Sequence, residues 1–321
     1  MSFSLQEIAA NAVQARTRIR HHIYQTPLIP ARQIGHDHDA KVLFKAENFQ
    51  LTGSFKIRGA LSKLSSPLIE GRLITASSGN HGIGAAFASK VLSKDLTVVL
   101  PNTVTQAKLE KIRSFGVDVI LHGAETGRAE QHAQQLAASG SYTYISPYND
   151  ADVIAGQGTI GLEILEQIDE VDNVFISMGG GGLLSGIGSV LKAFRPQTNI
   201  YGVSASNSKA LAASLAAGHV VETDHLPTLA DAVAGGIDKD TITFPLAKSV
   251  VDFVLECDEE EILSSVKDLA ARENMIVEGS AALALAGFNN VADKLTGQTS
   301  VIILCGGNVD HDFIAKVVSS V

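Results

Sequence analysis

Short runs of β-branched and aliphatic residues alternate along the chain with longer stretches whose apolar positions recur every three or four residues. The runs KVLFKAE (41–47), LITA (73–76), LTVVLP (96–101), VDVILH (117–122), TYIS (143–146), NVFISM (173–178), NIYGVS (199–204), VDFVLEC (251–257) and SVIILC (300–305) predict strands. Helical periodicity predicts helices over 80–92, 105–115, 127–139, 152–168, 183–194, 258–273 and 279–292, and the amphipathic segment LQEIAANAVQARTRIRHHIY near the N-terminus reads as a further helix. Most of the strands are apolar on both faces, as in parallel sheets covered by helices on both sides, so the pattern predicts an α/β fold of βαβ units. Four strands fall between residues 72 and 149, which predicts a small domain over 72–149 set into a large domain of 1–71 and 150–321. Ligands in such folds bind outside the carboxyl ends of strands, and the candidate chemistry is sought there.

With 321 residues, 45% of them hydrophobic, the chain can bury a large core. Its net charge of −9 offers no basic surface for nucleic acid or anionic lipid. Cys257 and Cys305 lie far apart with no C-x-x-C pattern, which argues against a disulfide framework or a zinc site and fits a reducing cytoplasm. The N-terminal segment contains arginines, as a transit peptide would, but it carries Glu7 and lacks an apolar h-region. No run approaches the roughly 20 apolar residues that span a bilayer, so no membrane span is expected.

The stretch LTGSFKIRGAL (51–61) holds a local conflict. Gly53 and Ser54 read as a turn followed by an N-cap, which puts Lys56 and Arg58 in a first helical turn where the dipole disfavours cations. A solvated surface lysine tolerates this at a cost under about 1 kcal/mol. Alternatively, Phe55, Ile57 and the nearby positive charge lower the Lys56 amine pKa, as in a Schiff-base lysine.

Three strand ends add to the second alternative. FISMGGGGLLSG places Gly179, Gly180, Gly181 and Gly182 between a strand and a helix, more glycine than a tight turn requires, and suited to wrapping backbone N–H groups around a phosphate. A dinucleotide fingerprint is disfavoured because Ser185 stands where a third glycine or alanine belongs and the next strand ends at Ser204 rather than at an acid. A Walker loop is excluded because no Gly-Lys-Ser/Thr follows. LITASSGNHGIGAA ends its strand with Ser77, Ser78, Gly79, Asn80 and His81; serines alone would serve as caps, but with the amide and imidazole the loop reads as a clamp for a carboxylate. VIILCGGNVD ends the last strand at Cys305, which by itself reads as a small core residue.

A reactive lysine, a phosphate cradle and a carboxylate clamp are the parts of a pyridoxal 5'-phosphate site that acts on an amino acid. The motifs GSFKIRGA, SSGNHG, IAGQGTIGLEIL, GGGGLLSG and CGGNVD occur in the order seen in fold-type II pyridoxal-phosphate enzymes. From TPL (26–28) onward the chain resembles the threonine/serine dehydratases and serine racemases of that family. The resemblance implies a tryptophan synthase β-like fold of two open, twisted, parallel or mixed sheets with flanking helices. It implies that Lys56 forms the imine with the cofactor, that Phe55 packs beside the ring, and that Asn80 hydrogen-bonds the 3'-oxygen. Gly179 to Gly182 and Leu183 would bind the phosphate, the loop from Ser77 to His81 the substrate carboxylate, and Cys305 would face the pyridine nitrogen. On this reading the positive first turn depresses the Lys56 pKa.

The implied reaction is β-elimination from L-threonine or L-serine, in which Lys56 removes the Cα proton and the products are a 2-oxo acid and ammonia. A thiol at Cys305 need not keep the ring nitrogen protonated, which suits elimination better than transamination. Ser78 stands where biosynthetic threonine dehydratases often have alanine and where serine racemase has a serine acting as base on the face opposite the lysine, so racemisation stays open. Hydroxyaspartate and hydroxyectoine-catabolic dehydratases are further alternatives. Family members with a divalent-cation site carry acids at the positions of Ser204 and Ala210, so no metal is expected at that site. The short stretch after CGGNVD predicts no C-terminal regulatory domain, and a homodimer is expected. A reading of a different class is a non-catalytic phosphate-ligand or NAD-binding protein; Lys56 argues against it, because neither role needs a buried lysine beside an anion clamp.

Overall fold

The first helix, α1 (Leu5–Ile19), starts from a capping box in which Ser4 and Glu7 each satisfy the other's backbone N–H. The structure is a computed structural model that describes residues 3–310, 313–315 and 317. Next come β1 (Leu28–Pro30), β2 (Lys41–Lys45), α2 (Lys56–Leu64), β3 (Leu73–Ala76), α3 (Asn80–Leu92), β4 (Leu96–Leu100), α4 (Gln106–Arg113), β5 (Asp118–Leu121), α5 (Thr126–Ala138) and β6 (Thr143–Tyr144). The chain continues with α6 (Ala151–Gln167), β7 (Asn173–Ser177), α7 (Gly182–Phe194), β8 (Asn199–Ala205), α8 (Ala210–Ala217), α9 (Thr243–Val250), β9 (Phe253–Cys257), α10 (Glu259–Glu273), α11 (Gly279–Asn289) and β10 (Thr299–Ile303).

These strands form two sheets. The larger has the order β1-β2-β10-β7-β8-β9 and is parallel except for β1, which pairs antiparallel with β2. The smaller has the order β5-β4-β3-β6 and is parallel throughout. Every predicted strand is present, with ends displaced by a few residues. Three elements escape the pattern for physical reasons. β1 is too short to show a period, and its Pro30 is tolerated because the strand lies at an edge. α8, ALAASLAA, has no amphipathic contrast. α9 carries Pro245, which reads as a breaker but sits in the first turn, where its missing N–H costs nothing.

The apolar strands bury almost completely: every residue of β3, β4 and β7 is inside. α11 packs on β7 to β10, while α1, α2, α6 and α7 pack against one another. α6 comes close to α2 and α7 through Gly156 and Gly158; a Cβ on Gly156 would stand 2.5 Å from the Arg58 carbonyl oxygen.

Inside this apolar frame lies a group of four charges. The Arg58 guanidinium donates through Nε and Nη2 to Glu47 at 2.8 Å each, and through Nη1 and Nη2 to Glu163 at 2.6 and 2.9 Å. Lys45 Nζ donates to the second oxygen of Glu163 at 2.6 Å, to the Thr26 carbonyl at 2.7 Å and to Gln167 at 2.9 Å. Arg58, Lys45 and Glu47 are 0% exposed and Glu163 is 3% exposed, so water does not share these charges and the protein must match them. The two cations and two anions tie β2, the turn after it, α2 and α6 together. Removing one partner of such a pair strands the others, at about 3–5 kcal/mol. Arg58→Ala is expected to lower the unfolding free energy of the cofactor-free protein by about this amount. Denaturant titration would contradict this with a loss under about 1 kcal/mol.

Candidate active site

Three neighbouring strands of the larger sheet, β2, β10 and β7, end side by side, and the chain leaving each supplies one part of the site. The segments leaving β2 and β10 zip together. The Phe55 N–H donates to the Cys305 carbonyl at 3.0 Å, the Gly307 N–H donates to the Gly53 carbonyl at 2.9 Å, and Ser54 bridges Gly306. Ser54 is thereby held in the pairing and is not the N-cap that the sequence suggests. α2 starts after Phe55 with no side-chain cap, and the Ser54 hydroxyl is buried without a hydrogen-bond partner among the described residues.

Lys56, the first residue of α2, is thus set beside Cys305. Its Nζ donates to the Pro147 carbonyl at 3.0 Å and lies 5.3 Å from the centroid of the Phe55 ring. Lys56 is partly exposed, yet burial of its amine still lowers it from the ordinary 10.5 to about 8, while the charge of Glu278 acts the other way. A cationic first turn is not the cause, contrary to the sequence-based expectation: Arg58 is neutralised by Glu47 and Glu163, and desolvation does the work.

After β7 the glycine loop turns into α7. The N-cap Gly181 has φ +84°, a conformation that favours glycine, and it supplies no side-chain cap. A Cβ on Gly179 would stand 2.5 Å from the Val233 carbonyl oxygen, and one on Gly180 would stand 2.5 Å from Cγ of Tyr148. Thr243 pins the loop by donating its hydroxyl to the Gly180 carbonyl at 2.7 Å. The N–H groups from Gly179 to Leu183 find no acceptor among the described residues, so the predicted cradle is open to an anion.

The Ser77 to His81 loop leaves β3 of the smaller sheet and enters α3, again with an N-cap, Gly79, that brings no side-chain cap. The Ser77 hydroxyl accepts from the Gly79 N–H at 3.2 Å. The N–H groups of Asn80, His81 and Gly82 have no acceptor among the described residues, as an anion clamp requires. α3 reaches Lys56 through Gly84, where a Cβ would stand 3.0 Å from the Ile57 nitrogen. The His81 ring turns away from this opening. Its Nε2 lies 3.0 Å from the Thr75 hydroxyl and 3.3 Å from the Ile145 carbonyl, and burial, helped by the charge of Lys56, pushes its pKa down to about 3. His81 is therefore a neutral ring whose Nε2 is held by Thr75 and Ile145, while its Nδ1 has no partner among the described residues.

The sequence reading missed one acid. Glu278, the N-cap residue of α11, is 4% exposed and lies against Gly306, where a Cβ would stand 2.7 Å from its carboxylate. Asn80 Nδ2 donates to its two oxygens at 2.9 and 3.0 Å. Burial raises this carboxyl from 4.5 to about 7, against those bonds and the attraction of Lys56. The signal in the sequence is a single acid in the otherwise apolar run MIVEGSAALAL. Next to it, burial and the Glu278 charge hold the Cys305 thiol well above its ordinary range, so it stays protonated. Further along the larger sheet the Ser204 hydroxyl is buried without a partner, while Lys209 pairs with Glu256 at 2.6 Å. Among the described residues no cluster of three or more His, Cys, Asp or Glu could hold a metal ion.

Residues 19–306 match the model of a protein family described as pyridoxal-phosphate dependent enzyme. The chain belongs to this family. It is 34% identical over 309 residues to the L-threonine ammonia-lyase of Thermotoga maritima, an alignment covering 95% of this chain and 77% of that protein. The structure superimposes on the processed form of threonine deaminase isoform 2 from Solanum lycopersicum with a TM-score of 0.92 at 32% identity, covering 99% of this chain and 94% of that one. With serine racemase from Dictyostelium discoideum the TM-score is 0.87 at 33% identity, covering 94% and 98%. The fold is the fold-type II arrangement of these enzymes, with one mixed and one parallel sheet.

Pyridoxal phosphate is the family's cofactor, and the residues present fit it: an open ring of N–H groups for the phosphate and an amine that is part-neutral at physiological pH for the aldehyde. Because the amine pKa is depressed in the folded chain, a charged Lys56 costs stability in full below about pH 8, and the cost fades as pH rises to 10.5. In cofactor-free protein Lys56→Met is therefore expected to raise Tm at pH 7 and to gain progressively less above pH 8. Calorimetry showing a gain that does not change with pH would contradict a buried, pKa-shifted amine.

Proposed function

We propose that this chain removes the β-hydroxyl and amino groups of L-threonine or L-serine, giving a 2-oxo acid and ammonia. The observation that carries it is the Lys56 amine, set at about 8, at strand ends where two uncapped helices open their N–H groups. Pro147 and Tyr148, consecutive residues, link the two features: one accepts from Lys56 Nζ and the other packs on the glycine loop.

In this reading Gly179 to Gly182 and Leu183 hold the cofactor phosphate and Lys56 its aldehyde carbon. Phe55 would pack beside the ring, Asn80 would donate to the 3'-oxygen, and Cys305 would face the ring nitrogen. The bound cofactor supplies an electron sink for the bond at Cα. The α3 N-terminus, with Ser77, Ser78 and Gly79, fixes the substrate carboxylate. Lys56 would be the base that takes the Cα proton, and a pKa near 8 leaves a useful fraction of its amine neutral. The protonated Cys305 thiol does not place a full charge on the ring nitrogen, which favours loss of a β-substituent over deeper carbanion chemistry. The two sheets support a division into a small domain over 72–149 and a large domain of 1–71 and 150–321. A homodimer in the cytoplasm completes the reading; the two buried, unpaired cysteines suit that compartment.

Racemisation is a second outcome at the same site, favoured by the hydroxyl at Ser78 and by the likeness to a serine racemase. Purified protein offered L-threonine, L-serine, 3-hydroxyaspartate and their enantiomers, with and without EDTA, is expected to release oxo acid and ammonia from the first two and to keep its activity in EDTA. With Ser78 as proton donor on the face opposite Lys56, Ser78→Ala is expected to abolish D/L interconversion and to leave dehydration of the L-substrate largely intact, because Lys56 alone serves the L face. A uniform rise in KM for every reaction would make Ser78 a carboxylate ligand only. No oxo acid from any of them would overturn the lyase.

A further inference from the structure

A chain of directed hydrogen bonds runs from α4, beside the smaller sheet, to the candidate site beside the larger one. Lys111 Nζ donates to Asn308 Oδ1 at 3.0 Å. Asn308 Nδ2 donates to the Thr52 carbonyl at 2.8 Å and to Asn80 Oδ1 at 2.7 Å. Asn80 Nδ2 in turn donates to both oxygens of Glu278. Neither amide can reverse cheaply. Turning Asn308 would set its oxygen against the Thr52 carbonyl and the Asn80 oxygen, and turning Asn80 would set its amide against the Asn308 amide as well as its oxygen against Glu278. An ammonium at one end and a carboxylate at the other polarise the chain in one direction. The outcome is that Asn80 presents an N–H, never a carbonyl, with one amide proton left for an acceptor outside the chain.

We propose that Lys111 is a positioning residue for Asn80, acting through Asn308 and opposed by Glu278, so that the donor offered to the cofactor's 3'-oxygen is set from the far side of the cleft. This rests on the cofactor reading above. The Lys111 bond joins residues 197 positions apart in sequence, one on α4 and one in the segment after β10.

The test uses the cofactor-loaded full chain and two readouts: the ratio of visible to near-ultraviolet absorbance of the lysine-bound cofactor without substrate, and the split between kcat and KM. Lys111→Met is expected to change that ratio at least twofold and to lower kcat about fivefold with KM within about twofold, the effect of one weakened hydrogen bond. Lys111→Arg should restore both. Asn308→Asp, which sets a carboxylate oxygen against Asn80 Oδ1, should change the ratio in the same direction and by more. A wild type that takes up no cofactor would sink the reading on which this rests. A wild type that is loaded and active, with Lys111→Met and Asn308→Asp both spectrally unchanged, would overturn the inference alone. A change in KM only would also overturn it, by making Lys111 a substrate contact.

Discussion

The interaction on which the rest depends is the pairing of Arg58 with Glu47 and Glu163 in the dry interior. A guanidinium taken fully out of water demands acceptors on most of its N–H groups, and only a fixed approach of α2 to the turn after β2 and to α6 supplies them. That demand sets where α2 begins. Lys56 stands one residue before Ile57 and two before Arg58, so once Arg58 is clamped, the lysine at the helix start projects beyond the cluster toward the strand ends. Both glutamates are used up by Arg58 and Lys45. Lys56 is left without a carboxylate partner, and desolvation can act on its amine.

The chemistry then follows from helix ends. α3 and α7 both start without a side-chain cap, and in an isolated helix this would waste about 1 kcal/mol each. Here the missing caps leave N–H groups free for anions at the ends of β3 and β7. Glycine serves for close approach as much as for conformational freedom: Gly179 leaves room for Val233, and Gly84 lets α3 lie against the start of α2.

Much of this was legible in the chain. The strands of both sheets show as apolar runs, because parallel strands buried on both faces leave no polar positions to confuse the pattern. The glycine loop and the Ser77 to His81 loop are contiguous in sequence, so their composition betrays them. What could not be read is whatever depends on contacts between distant segments. Ser54 looks like a cap until Gly306 is seen paired with it. His81 looks like a ligand until Thr75 and Ile145 take its ring. Arg58 looks like part of a positive turn until Glu163, 105 positions away, neutralises it. Glu278 has no local motif at all; its role comes from lying across Gly306 and Asn80, and no periodicity in α11 announces that.

The fold makes one lysine the reactive amine, and the chain holds a natural control. Lys45 is fully buried and its amine pKa is likewise lowered by desolvation, but Glu163, Thr26 and Gln167 hold its ammonium. Borohydride reduction of the pyridoxal-phosphate-loaded protein, followed by peptide mapping, tests the difference directly. A single pyridoxyl group is expected on Lys56 and none on Lys45. A label on Lys45, on any other lysine, or on none would contradict it.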